Sequence, residues 1–388
     1  MEGPHEMSTD TTIRLSDCTL RDTRNAPGVF MTLPQVVEIA RHLDELGLDE
    51  IEIGGGGTGP EEAEIARAVN RLGLRAKTSC LVFCVTSQDV EEAVRFVKDV
   101  GSSVAMFSLP SSQTFIDLRL KRSFRATCKL VEKIVGYAVQ NGLEVVFSGE
   151  DAARADPELL VDYVRAGAEA GASRFRFAES VSALEPSMMR DRVGLLRERG
   201  GIDIDVHCHS SLGLAVANTI AAIEGGARWV SCTVGGLGER GGNTPLESLA
   251  FYLARFRGRA DFQLGALKKL AESVSRATDI PISRFASAVG EDAFQYEKGN
   301  MFLHCDAYEA YTPESVGNRR KLAVGKKADP LSVKIMLESL GRDASGFDIE
   351  GLSKRLQDIA WKNRRCVELP ELEQLLGQEE ERWVRKTS

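Results

Sequence analysis

Eight short apolar or β-branched runs, each followed by a longer helical pattern that closes on a glycine, predict an α/β protein: a (β/α)8 TIM barrel with an appended C-terminal helical subdomain. Two observations carry this reading. The alternation holds over roughly 250 residues, the span such a closed barrel needs. A glycine stands after most of the helical patterns (Gly47, Gly73, Gly101, Gly142, Gly171, Gly226), where a left-handed residue ends a helix. An open doubly wound sheet would instead want a glycine phosphate fingerprint after its first strand, and Asp17-Cys18-Thr19-Leu20-Arg21-Asp22 is not one.

The strands are expected at 13–18, 50–53, 76–81, 104–109, 144–148, 174–178, 203–208 and 229–234. Between them lie helical stretches at 33–46, 60–72, 89–100, 117–140, 157–170, 186–197 and 213–224. After about residue 258 the alternation stops, and helices are expected at 264–278, 330–340, 349–362 and 369–385, with a loop-rich stretch from 286 to 327. The domain reading is therefore a polar N-terminus at 1–12, a catalytic barrel at 13–260 and a helical subdomain with its linker at 261–388.

The chain has 388 residues, 43% of them hydrophobic and 27% charged, ordinary values for a globular protein. A net charge of −8 argues against non-specific nucleic-acid binding. No apolar run approaches the length of a membrane span, and the polar start lacks an apolar signal core, so a cytoplasmic protein is expected. Eight scattered cysteines read as reduced buried thiols rather than a disulfide framework.

Barrel chemistry sits at the C-terminal ends of the strands. The seventh run ends in His207-Cys208-His209, which holds two of the chain's five histidines. Residues two apart on a strand face the same side, so both imidazoles can meet one metal. An isolated histidine near a strand end is commonly a hydrogen-bonded core residue; a pair at this spacing points to ligands. The first run ends in Arg21-Asp22, a fixed cation beside an oxygen ligand. The second ends in Glu52 before Gly54-Gly55-Gly56-Gly57. The fifth ends in Ser148-Gly149-Glu150-Asp151, and the eighth leads into Gly238-Glu239-Arg240-Gly241-Gly242-Asn243. Any one of these is compatible with a solvated loop. Their recurrence at successive strand ends points to a site.

Three segments resemble the signatures of the homocitrate synthase and 2-isopropylmalate synthase family, metal-dependent TIM-barrel enzymes that condense acetyl-CoA with a 2-oxo acid. They are residues 17–22, residues 207–218 (HCHSSLGLAVAN) and residues 238–247 (GERGGNTPLE). Residues 316–326 (VGNRRKLAVGK) are similar to the linker of the synthase branch. The resemblance implies a divalent metal (Zn²⁺, Mg²⁺ or Mn²⁺) on Asp22, His207 and His209 with Asn243 near or in its shell, acetyl-CoA as co-substrate, and a homodimer. It further implies that Arg21 stabilises the developing alkoxide or enolate, that Glu52 orients Arg21, and that Glu150 takes part in removing the acetyl proton.

The chain also departs from that pattern. Thr23-Arg24-Asn25 replaces Gly-Glu-Gln, Ser210-Ser211 replaces Asn-Asp, and Glu179-Ser180-Val181-Ser182 replaces Asp-Thr-Val-Gly. The tail element that supplies a catalytic histidine becomes Tyr296-Glu297-Lys298-Gly299-Asn300-Met301, leaving His304, Tyr308, Tyr296 and Tyr311 as candidates for its role. Arg24 and Arg176 add positive charge, Arg176 either in the barrel interior or in an ion pair at the barrel bottom. With Ser180 they read as substrate-binding residues for a multiply acidic 2-oxo acid such as oxaloacetate, 2-oxoglutarate or phosphonopyruvate. A metal-dependent aldolase or lyase that needs no CoA ester is the alternative.

Overall fold

The computed structural model describes residues 12–54, 57, 59–84 and 87–383, so part of the glycine run after the second strand lies outside it. Eight parallel strands close into a barrel in chain order: β1 (Arg14–Asp17), β2 (Glu50–Glu52), β3 (Lys77–Phe83), β4 (Val104–Pro110), β5 (Glu144–Glu150), β6 (Arg174–Glu179), β7 (Asp203–Cys208) and β8 (Trp229–Cys232). The predicted fold class is the observed one. β1 closes on β8 with Arg14 opposite Trp229 and Asp17 opposite Cys232.

The helices follow the apolar periodicity: α1 (Leu33–Leu46), α2 (Pro60–Asn70), α3 (Ser87–Val100), α4 (Phe124–Gln140), α5 (Pro157–Glu169), α6 (Pro186–Arg199), α7 (Ala215–Glu224) and α8 (Leu246–Phe256). Asp156 caps α5 by accepting from the amides of Glu158 and Leu159, and a proline occupies its first turn. The single helix expected over 117–140 is two pieces. A turn at Gln113–Phe115 runs into a π-helical turn at Ile116–Leu120, Lys121 takes a left-handed conformation (φ 51°), and Ser123 caps α4 afresh. Ser123 is a helix-starting residue, and its preference overrides the continuous apolar pattern. That break keeps Phe115 and Arg119 beside the end of β4.

The expected domain boundary near residue 260 moves. The chain divides into two compact units between Ile282 and Ser283. The helix expected to open the tail, α9 (Leu267–Thr278), packs on α1 and belongs to the barrel's unit: Leu267, Leu270, Ala271 and Val274 are buried, and Ser273 bonds Glu38 and His42 of α1. The second unit holds a two-stranded parallel ladder, β9 (Gln295–Tyr296) with β10 (Lys321–Leu322). It also holds α10 (Gly299–Leu303), α11 (Pro330–Ser339), α12 (Ile349–Asn363) and α13 (Leu369–Trp383), around a core that includes Val333, Leu337, Leu352, Leu356 and Leu372. All eight cysteines are free. Among the described residues no helix is long and apolar enough to cross a membrane.

Outward-facing residues of β5 and β6 pack on α5, where Phe147 lies 5.0 Å from Phe175 and 5.9 Å from Tyr163, centroid to centroid. Gly167 makes this approach possible, because a Cβ there would stand 2.2 Å from Cζ of Phe147. Gly167→Ala is therefore expected to destabilise the barrel by about 1–3 kcal/mol through overpacking. Urea unfolding that gives an unchanged midpoint would refute this account of the helix–strand contact.

Candidate active site

Alternation along the strands splits the barrel interior into two halves. Leu81, Val104, Met106 and Val146 form an apolar cluster. The other half is ionic. Arg174 bonds both oxygens of Glu50 at 2.6 Å and reaches Asp205 at 3.4 Å, with its guanidinium 3.9 Å from the Trp229 ring centroid. Arg176 pairs with Asp205 at 2.9 Å and donates to Glu52. Arg21 donates through Nε to Glu52 (2.8 Å) and through Nη1 to Asp22 (2.7 Å). Four carboxylates (Glu50, Asp205, Glu52, Asp22) thus alternate with three guanidiniums (Arg174, Arg176, Arg21), and all seven residues are buried.

Asp22 ends this ladder at the C-terminal rim. His207, His209 and Asp22 each offer one ligand atom, and these atoms lie within 4.8 Å of one another. Nδ1 of His207 bonds Ser231 Oγ at 2.7 Å, and Nδ1 of His209 meets the Gly242 carbonyl at 3.3 Å. Each ring is thereby oriented, with Nε2 left for a ligand. Burial lowers the pKa of both imidazoles, and the neighbouring His209 and Arg21 lower that of His207 further, so both rings are neutral as a metal requires. Burial alone would raise the Asp22 carboxyl, but the Arg21 guanidinium and the hydrogen bond from Asn243 oppose it and hold it below the usual carboxylate range. Arg176 and Arg21 likewise overcome burial to keep Glu52 ionised.

The loop after β8 brings the fourth polar group. Gly235 (φ 64°), Gly236 (φ 68°) and Gly242 (φ 82°) turn it back so that Asn243 bridges to His209. Asn243 donates to Asp22, and its buried Oδ1 has no hydrogen-bond partner. An added Cβ on Gly238 would stand 2.1 Å from Asn243 Nδ2 and 2.6 Å from Asp22 Oδ2. One carboxylate, two neutral imidazoles and an orphaned amide oxygen fit a divalent cation with mixed nitrogen and oxygen ligands. The ladder's surplus negative charge favours the same occupant.

Beside this cluster lies a cavity of about 290 Å³. Its walls include Arg21, Arg176, Ser108, Ser148, Ser180, Leu81, Phe83, Phe115, Arg119, Glu150 and Arg240. Burial raises the Glu150 carboxyl, with Arg119 at 3.0 Å opposing the shift. Ser180 accepts from the Asp151 amide at 3.0 Å. The structure thus gathers Arg21, Asp22, Glu150, Arg176, Ser180, His207 and His209 around one cavity, with Glu52 and Asn243 behind it, bonded to Arg21 and Asp22.

The structure gives both arginines expected to receive the substrate's charge a protein partner. Arg24 turns from the cavity to Glu62 on α2, in a two-point ion pair at 2.9 and 3.1 Å, so its charge is already matched. Arg176 does face the interior, but Asp205 and Glu52 neutralise it. Neither arginine is a free anion receptor. His304 and Tyr308 lie in the second unit, both exposed, on either side of the 3-10 turn Cys305–Ala307. The Tyr296 hydroxyl donates to Glu309 there.

Ser231, Asp205, Glu50 and Arg119 also belong to the site, although no motif of the chain marks them. Asp205 alone carried a signal: it lies one strand from Arg176, at directly paired positions in the β6–β7 register. An acidic residue inside an apolar strand marks such a partner.

A buried carboxylate–imidazole cluster at the C-terminal rim of a closed (β/α)8 barrel is a candidate divalent-metal site in the position where such barrels carry their chemistry. The HMGL-like family model matches residues 12–274, and the chain belongs to that family. Homocitrate synthase 1 of Nostoc sp. is 33% identical over 373 residues, covering 95% of this chain and 97% of its own. The homocitrate synthase of Frankia alni is 35% identical, with 86% and 95% covered. The 2-isopropylmalate synthase of Methanocaldococcus jannaschii is 31% identical, with 92% and 70% covered. Among solved structures, the HMG-CoA lyase of Bacillus subtilis superposes with a TM-score of 0.62 at 18% identity, over 73% of this chain and 98% of its own.

Two outcomes follow from this geometry. His207→Ala/His209→Ala removes both imidazoles, and elemental analysis is expected to find the bound divalent metal lost; full occupancy in that variant would exclude the site. Arg176→Ala takes one of two cations from each of the buried carboxylates Glu52 and Asp205, leaving them to Arg21 and Arg174, and is expected to cost about 3–5 kcal/mol of stability, read by denaturant unfolding. A midpoint that stays put would show that the ladder is not coupled through Arg176.

Proposed function

We propose that the cavity condenses acetyl-CoA with a small 2-oxo acid whose far end is polar or acidic, and that water then cleaves the thioester of the adduct, giving a 2-hydroxy acid and free CoA. As a homologue of homocitrate and 2-isopropylmalate synthases, the chain is an acyl-CoA-dependent condensing enzyme. The observation that carries the reading is the position of Arg21. It is clamped between Glu52 and Asp22 and borders the cavity beside two neutral imidazoles.

A divalent metal held by Asp22, His207 and His209, with Asn243 beside it, would supply Lewis-acid polarisation of the oxo acid's carbonyl. The protein's own groups account for the rest. Arg21 commits Nε and Nη1 to carboxylates, which fixes the guanidinium plane and leaves Nη2 for an oxygen gaining negative charge. Glu52 positions Arg21 rather than touching substrate. Glu150, partly buried and with its pKa raised by that burial, would accept a proton from the acetyl methyl. Ser108, Ser148 and Ser180 offer hydroxyls around the oxo acid, opposite the apolar wall of Leu81 and Phe83.

With Arg24 and Arg176 neutralised inside the scaffold, an acidic far end needs another partner. Arg119 is the best placed: it lines the cavity, lies 5.4 Å from the Phe115 ring centroid and is held only by Glu150 at the site. A substrate carboxylate or phosphonate that engaged Arg119 would also release Glu150 for its role as base.

Thiol release from acetyl-CoA, measured against a panel of 2-oxo acids with and without divalent metals, tests the activity. Metal-dependent release with an acidic or polar acid is expected; cleavage of a 2-oxo acid adduct with no CoA ester would instead select the aldolase reading. Arg21→Lys is expected to lower kcat on the order of 10²–10³-fold with little change in KM, because an ammonium cannot hold two carboxylates and a third oxygen in one plane. A rise in KM alone would assign Arg21 to binding. Arg119→Gln is expected to reduce the kcat/KM preference for acidic over branched apolar acids by about one to two decades. A parent enzyme that prefers 2-oxoisovalerate would overturn the acidic assignment.

A further inference from the structure

The second unit contains a cavity of about 770 Å³ whose lining residues all belong to that unit. Three separate segments build it. The stretch at the start of the unit contributes Arg284 and Phe285, the turn after β10 contributes Lys326, and the end of α12 contributes Trp361, Arg364 and Arg365. Arg284 is paired with Asp292 at 2.8 Å, and Arg365 with Glu371. Lys326 and Arg364 have no hydrogen-bond or ion-pair partner for their side chains among the described residues.

The aromatic groups are equally unspent. Trp361 is 65% exposed and Phe285 81% exposed, and both line the cavity. Basic residues at a helix C-terminus complement its dipole, which accounts for Arg364 and Arg365 at the end of α12. It does not account for Lys326, which arrives from another segment, nor for two bare aromatic faces beside the cations. Lys326 closes the sequence 316–326 that resembles the synthase linker, and nothing in the condensation uses it.

The combination narrows the ligand. A simple inorganic anion has no use for the aromatic faces, and an apolar ligand has none for the unpaired cations. A planar heteroaromatic ring stacks on tryptophan in a sequence-tolerant way, and lysine and arginine recognise phosphate oxygens. The volume lies in the range of ordinary small-ligand sites. We propose that this cavity binds a phosphorylated purine nucleotide, with its phosphates on Lys326 and Arg364 and its base against Trp361.

Two sources share that chemistry: a free nucleotide acting as an effector, and the nucleotide end of coenzyme A. Calorimetric titration of the full chain with ADP, against adenosine and inorganic phosphate as controls, tests the proposal. ADP is expected to bind saturably and more tightly than either control. Lys326→Gln/Arg364→Gln and Trp361→Ala are each expected to weaken it by roughly tenfold or more, Trp361→Phe by less. All three positions lie at the surface of the cavity, so thiol release at saturating substrates should match the parent and report that the variants are folded. If CoA competes with ADP and the variants raise the KM for acetyl-CoA, the source is the co-substrate. If CoA does not compete, it is a free nucleotide. Absence of ADP binding, equal affinity for inorganic phosphate, or unchanged ADP affinity in the variants would each overturn the proposal. None of these results depends on which oxo acid the barrel accepts.

Discussion

The ion ladder inside the barrel is the constraint on which the site depends. Isolated charges in an apolar core are strongly disfavoured, so Arg174, Arg176 and Arg21 are tolerable only because Glu50, Asp205, Glu52 and Asp22 stand between them. Each shared carboxylate fixes the guanidiniums on either side. Glu52 is the pivot, since it receives Arg176 from below and Arg21 from above. The orientation of the group at the reaction centre is thus set by contacts that begin near Trp229, deep in the barrel. Much of the barrel's polar interior exists to aim one guanidinium and leave one carboxylate for a cation.

A second constraint is steric. The loop after β8 must turn back sharply enough to place Asn243 against both Asp22 and His209. A Cβ on Gly242 would stand 2.1 Å from the Gly236 carbonyl, and one on Gly238 would displace the Asn243 amide. The glycines are therefore requirements of the close approach of Asn243 to Asp22 and His209. Ser231 adds the complementary control from β8, holding the His207 ring by its far nitrogen.

Much of this was legible in the chain. The barrel could be read because alternation of short apolar runs and amphipathic helices is a local property. The histidine pair could be read because strand spacing alone puts positions 207 and 209 on one side. Arg21, Asp22, Glu52, Glu150 and Asn243 were legible as polar residues recurring at strand ends. The break at Lys121 and the placement of α9 were not, since a cap and a packing surface decide them against a continuous pattern.

The sequence by itself determined which residues stand at the C-terminal ends of the strands, and hence the fold, the candidate metal-binding set and the family. Only the tertiary structure decided what the added arginines do. A residue's charge is written in the chain, but whether that charge remains available depends on what faces it across the barrel. Glu62 is 38 residues from Arg24, and Glu52 is 124 residues from Arg176. The ion pairs that cancel both cations are products of helix packing and barrel closure, which no local pattern encodes.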